Sequence, residues 1–174
     1  MIDILRTRRS IRRYENKPID AGSLETLKEA LLRSPSSRGL NPWTFVFVDK
    51  ADLLAQLSRA KQQGSSFVKD AALGIVVCAD ETASDVWVED SSISSIIAHL
   101  TAHSLGLGSC WVQIRKRPHS ADQTAEQYVQ ALLGIPAHIR VEAVIAIGYP
   151  AETRTPVPKD QLDYGKIRYN GYTE

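Results

Sequence analysis

Two cysteines in 174 residues leave no room for a disulfide framework or a paired-cysteine metal site. Cys78 and Cys110 each sit inside an apolar run, residues 75–78 and 109–112, where a free thiol packs as a small hydrophobe. No apolar run approaches the roughly 20 residues of a membrane-spanning helix, so no membrane partner is expected. The N-terminus interleaves charges with its apolar residues and lacks the continuous stretch of a signal peptide. A cytoplasmic protein is therefore expected. A dominant charge is missing too: 21 Lys and Arg against 20 Asp and Glu give +1, which argues against nucleic acid as a partner. Among catalytic motifs, there is no G-x-G-x-x-G after a strand, no Walker loop, no H-E-x-x-H and no G-x-S-x-G elbow. His99 and His103 stand four apart on one helix, but no third ligand is placed with them, so a packed or solvated pair is expected and no metal.

What is present is an ordinary globular composition, 43% apolar and 24% charged, at a length suited to one domain. Element types alternate along it. Leu24, Leu27, Ala30 and Leu31 keep a helical period that Ser34-Pro35 ends, because a residue before proline is pushed out of the helical region. Residues 44–48 form a β-rich apolar run, as expected of a strand covered on both faces. Leu53, Leu54 and Leu57 mark a short helix, and residues 72–79 a second buried strand. The strongest helix covers residues 90–105, with Ile93, Ile96, Ile97 and Leu100 on one stripe and Gly106 and Gly108 as its stop. A strand over 109–114, a helix around Ala125, Tyr128, Val129 and Leu132, and a strand over 141–147 follow. The sum is a mixed α/β arrangement, with helices covering a sheet. Residues 151–174 carry Pro156 and Pro158 without a helical period and read as an extended arm of the domain formed by residues 1–150.

Charge is uneven. Arg6, Arg8, Arg9, Arg12 and Arg13 face a single acid, Asp3, in the first 13 residues, whereas residues 80–90 hold five acids and no base. A compact basic cluster in a neutral chain suits a small local anion. If the start of Arg8-Arg9-Ser10-Ile11-Arg12-Arg13-Tyr14 is helical, Arg8 and Arg12 share one face. Guanidinium forks match phosphate oxygens, and a serine hydroxyl adds a neutral donor. From this segment alone, a solvated basic helix end is the slightly better reading. A second segment, Ser34-Pro35-Ser36-Ser37-Arg38-Gly39-Leu40-Asn41-Pro42-Trp43, offers hydroxyls and loop amides for the polar edge of a planar ligand. Trp43, beside a proline, reads as a core anchor.

Taken with Leu105-Gly106-Leu107-Gly108-Ser109-Cys110-Trp111 and Ala146-Ile147-Gly148-Tyr149-Pro150, these blocks, in this order over residues 8–150, resemble the FMN-dependent nitroreductase family. The resemblance implies an α+β fold: a mixed, mainly antiparallel sheet flanked by helices, with the C-terminal arm extending onto a dimer partner. It also implies a homodimer that takes hydride from NADH or NADPH and reduces a nitroaromatic, quinone or similar small acceptor by a ping-pong mechanism. Arg8, Arg9, Ser10 and Arg12 match the family's phosphate and ribityl contacts. Pro35, Ser36 and Ser37 match a loop that reaches the flavin of the opposite subunit. Trp111, Val112 and Gln113 match the segment passing the flavin ring. Lys166 and Arg168, with Lys159 as a rival, match a basic pair that completes the phosphate site. The family scheme needs no side-chain nucleophile, so no catalytic residue is named. Gly39 stands where many members have Asn, leaving either a backbone amide in its place or a looser hold on FMN; Asn41 stands where they have Gln. The family's insertion between the central helices is absent. The same fold also admits reductive dehalogenases, flavin-consuming enzymes and, without turnover, a flavin-binding module.

Overall fold

The computed structural model describes residues 1–172; Thr173 and Glu174, the end of the expected arm, lie outside the described residues. Five helices and four strands alternate: α1 (Ile2–Thr7), α2 (Ala21–Leu32), β1 (Trp43–Val48), α3 (Ala51–Leu57), β2 (Leu73–Asp80), α4 (Trp87–Ser104), β3 (Gly108–Gln113), α5 (Ala125–Leu133) and β4 (Ile139–Gly148). Local signals account for their ends. The Asp20 carboxylate accepts the Ser23 N–H at 2.9 Å and starts α2. Thr124 and Gln127 form a capping box on α5, which Gly134 closes at φ 66°.

The strands form one antiparallel sheet in the order β1-β2-β4-β3. Side chains of the central strands alternate between two cores. Ile75, Val77, Ile145 and Ile147 pack with Leu27 and Leu31 of α2 and Ala98 and Ala102 of α4. Val76, Cys78 and Val144 pack on the other face with Leu54 and Leu57 of α3 and Val129 of α5. Each such fully buried aliphatic side chain contributes roughly 1.5–3 kcal/mol. One extra residue, Glu142, bulges from β4 where it pairs with Val77 and Cys78.

One expectation changes in the folded chain, and two segments stand out by their exposure. Strand β1 is an edge strand, with Thr44 exposed and residues 45–47 half-buried, because only β2 flanks it. The isoleucine stripe of α4 points outward: Ile93 and Ile96 are 40% and 43% exposed. The arm forms only two short 3₁₀ turns, Lys159–Gln161 and Tyr164–Lys166, and is exposed almost throughout.

Candidate functional site

The arginine segment is extended. Helix α1 stops at Thr7, and Arg8 has φ −61° and ψ 129°, so the helical pairing of Arg8 with Arg12 does not form. The free edge of β3 takes the backbone instead: Ser10 bridges Ser109 in parallel, and the Ile11 N–H donates to the Ser109 carbonyl at 3.0 Å. In extended chain, residues 8, 10 and 12 share one side while Ile11 turns into the core. Two motif glycines make this approach possible. A Cβ on Gly108 would lie 2.8 Å from Ile11, and one on Gly148 would lie 3.0 Å from Tyr14. The Tyr14 hydroxyl donates to the Ile11 carbonyl at 2.6 Å, and burial keeps it protonated far above the ordinary phenol range. From the start of the arm, the Glu152 carboxylate accepts the N–H groups of Arg12 (2.6 Å) and Arg13 (3.2 Å). The Arg12 amide, and more weakly Arg154, hold that carboxyl below its usual range.

Between this segment and the arm lies a cleft of about 920 Å³, with Arg6, Arg8, Arg9, Ser10, Arg12, Arg154 and Lys159 on its wall. Among the described residues, Arg8, Arg9 and Arg12 form no salt bridge, whereas Arg6 pairs with Asp3 at 2.9 Å. A cleft with three uncompensated guanidiniums and a serine suits one phosphate. Arg154 was not legible in the sequence, because nothing local ties residue 154 to residue 8. Lys166 and Arg168 do not line this cleft: Lys166 lies 3.9 Å from Asp163, and Arg168 folds back onto the Gly165 carbonyl.

The histidines part company. His99 is buried, with Nδ1 2.7 Å from the Ser109 hydroxyl; burial first, and then Arg8, push its pKa down to about 4. His103 instead meets the Thr7 hydroxyl at 2.8 Å. No group of metal ligands occurs among the described residues.

The serine loop is held from within and from below. Arg38, Gly39 and Asn41 have φ of 54°, 65° and 49°, left-handed positions interrupted by right-handed Leu40, and each non-glycine one costs roughly 1–2 kcal/mol. Exposed Gly39 takes this backbone without a Cβ penalty. The Ser36 hydroxyl donates to Asn41 Oδ1 and accepts the Asn41 N–H, both at 2.8 Å, so Asn41 locks the loop. Pro35 is exposed and Ser37 half-buried. The Ser37 N–H donates to Asp90 Oδ1 at 2.8 Å, and the Ser84 hydroxyl donates to Asp90 Oδ2 at 3.0 Å. Asp90 is only 2% exposed. Sequence reasoning registered the acidic run over residues 80–90 without singling out Asp90; burial, which has no sequence signature there, sets it apart. Arg38 also pairs with Asp85.

On β3, Trp111 and Gln113 are half-buried and linked, the indole N–H donating to Gln113 Oε1 at 3.0 Å. Gln113 Nε2 donates in turn to the Arg115 carbonyl at 3.1 Å. Val112 points into the core at 1% exposure, so only its backbone can meet a ligand. Beneath them the bulge residue Glu142 is buried, which raises its carboxyl above the usual range, while Gln113 and Arg115 partly oppose this.

The model of the nitroreductase family matches residues 5–93 and 66–149. An FMN-dependent nitroreductase of Clostridium difficile is 40% identical, with 99% of this chain and 100% of that chain covered and a TM-score of 0.97. A protein of Methanothermobacter thermautotrophicus, provisionally named an NADH dehydrogenase/NAD(P)H nitroreductase, is 32% identical over 170 residues, 96% of this chain and 85% of its own. The iodotyrosine deiodinase of Thermotoga neapolitana is 22% identical over 201 residues, 99% of this chain and 98% of its own. Matched over nearly its whole length in sequence and in fold, the chain belongs to the nitroreductase family.

Proposed function

We propose that this oxidoreductase holds FMN in the arginine cleft, uses NADH or NADPH as donor and reduces a nitroaromatic, quinone or similar small acceptor by a ping-pong scheme. The observation that carries the reading is the set of unpaired guanidiniums, Arg8, Arg9 and Arg12, gathered with Ser10 at a cleft that holds no dinucleotide-binding glycine loop. These residues hold the phosphate, with Arg154 and Lys159 as further cations of the same wall. Lys166 and Arg168 lie off that wall within one chain. The backbone of Trp111, Val112 and Gln113 and the Gly39 turn border a ring, and the Pro35-Ser36-Ser37 loop, which lies off the arginine cleft of its own chain, reaches the ring held by the partner copy. When bound, the isoalloxazine supplies the redox chemistry, and the chain supplies binding, orientation and electrostatics.

The working unit in this reading is a homodimer. Ile93 and Ile96 on α4, and Val157, Leu162, Tyr164 and Ile167 on the arm, leave large apolar surfaces exposed in one copy. A second copy of the chain is the partner that covers them in this reading; among the described residues no helix is long and apolar enough to cross a membrane.

The test is to strip, reconstitute and identify the flavin. Arg8→Ala and Arg12→Ala are expected to weaken FMN retention about tenfold or more each, at roughly 1.5–3 kcal/mol per charge-assisted hydrogen bond. Arg6→Ala should have little effect. Equal losses at all three positions would mean a diffuse patch instead of a site. The deiodinase relative favours reductive dehalogenation as a second reading, which a screen of halogenated phenols separates. Absence of NAD(P)H oxidation by the flavin-loaded protein would leave a binding module.

A further inference from the structure

Asp90 is a carboxylate in the first turn of α4, 2% exposed, with no cation paired to it among the described residues. Burying such a group is costly unless hydrogen bonds replace its water. Here the replacements are the Ser37 amide at 2.8 Å, the Ser84 hydroxyl at 3.0 Å and the favourable N-terminal end of an 18-residue helix. The Ser37 contact spans 53 positions of sequence and ties the serine loop to the floor of the fold. The loop's other fastenings are local or exposed: the Ser36–Asn41 lock and the Arg38–Asp85 surface pair. Loop polar groups are largely spoken for. The Ser36 hydroxyl is engaged, the Gly39 N–H donates to the Ser36 carbonyl at 3.2 Å, and the Ser37 N–H belongs to Asp90. Among the described residues, no group pairs with the hydroxyl of half-buried Ser37, so it stays free to donate and accept.

We infer that Asp90 is a positioning residue for the flavin ring, acting through the Ser37 amide to present the Ser37 hydroxyl. This rests on the flavin reading above. It assigns the Asp90 contact to the ring side of the site, away from the arginines that hold the phosphate. The two contributions are therefore separable with riboflavin, which has the ring and ribityl chain but no phosphate.

The experiment titrates flavin-stripped full-length protein with FMN and with riboflavin. Asp90→Leu keeps the side-chain shape and removes both acceptors; Asp90→Asn keeps an amide oxygen for the Ser37 N–H. The leucine variant is expected to weaken both flavins by a similar factor, about tenfold, and to shift the visible band of the bound flavin. The asparagine variant should recover most of the affinity and the wild-type spectrum. Arg8→Ala, at the phosphate side, should weaken FMN by a clearly larger factor than riboflavin. If Asp90→Leu does not fold, the smaller Asp90→Ala carries the same expectation. Wild-type affinity for both flavins in the leucine or alanine variant, with an unshifted spectrum, overturns the assignment and leaves the flavin reading standing. A selective loss of FMN in these variants also overturns it, by moving Asp90 to the phosphate. A wild-type protein that binds neither flavin overturns the flavin reading itself, and this inference with it.

Discussion

On α4, the face turned to the sheet carries Ser91, Ser94, Ser95, Ala98, His99 and Ala102, all buried, while Ile93 and Ile96 on the opposite face are 40% and 43% exposed. Small residues let the helix lie close against the sheet and α2. The hydroxyls of Ser94 and Ser95 satisfy themselves on the Ser91 carbonyl at 2.9 and 2.8 Å, so their burial leaves no orphan donor. Large residues outside would be a liability for an isolated domain and are the natural seam of a two-fold pair. A hydrophobic stripe on a helix thus does not report which face packs within its own chain.

The comparison breaks most completely on the outer face. The double variant Ile93→Glu and Ile96→Glu should convert a dimer to a monomer in light scattering at low micromolar concentration. A dimer that survives both charges would place the interface elsewhere. On the inner face, the largest expected effect is one of pH. His99 is held neutral in the fold with a pKa of about 4, whereas the unfolded chain binds its proton below about 6.5. Stability should therefore be unaffected above pH 6.5 and fall progressively toward pH 4, by on the order of 3 kcal/mol in full. Urea melts of His99→Asn should lack most of that slope; an unchanged slope would assign it to other groups.

Smaller still is overpacking. Ala98 is fully buried, and Ala98→Leu should cost about 1–3 kcal/mol in urea unfolding at fixed protein concentration without abolishing association. Smallest is Ile93→Val, which trims one methylene on the outer face. It should cost about 0.5–1.5 kcal/mol, and only at concentrations where the dimer forms. A concentration-independent loss would mean that Ile93 packs within its own chain.

Much of the fold was legible because its signals are local. Helical spacing found α2 and α5, the Ser34-Pro35 step ended α2, and apolar runs found β2, β3 and β4 to within a residue or two. The family motifs found the serine loop and the arginines, two of whose neighbouring glycines, Gly108 and Gly148, turn out to admit Ile11 and Tyr14 against the sheet. The conformation of the arginine segment was not legible. Its residues tolerate a helix, and the free edge of β3 claimed them instead. Arg154 and Asp90 were missed for the same reason, since each acquires its surroundings from residues far away in sequence.

The sequence alone determined where several elements start and stop and that arginines crowd the first 13 residues. Those are properties of neighbouring residues: the Asp20 cap, the Thr124 capping box, the left-handed Gly134 and the spacing of arginines. Only the tertiary structure decided which face of α4 lies inside, that β1 sits at an edge, and that Asp90 alone of five nearby acids is buried against the serine loop. Burial depends on what the rest of the chain brings to the other side, and that is set by sheet order and contacts spanning tens of residues, on which no local pattern bears.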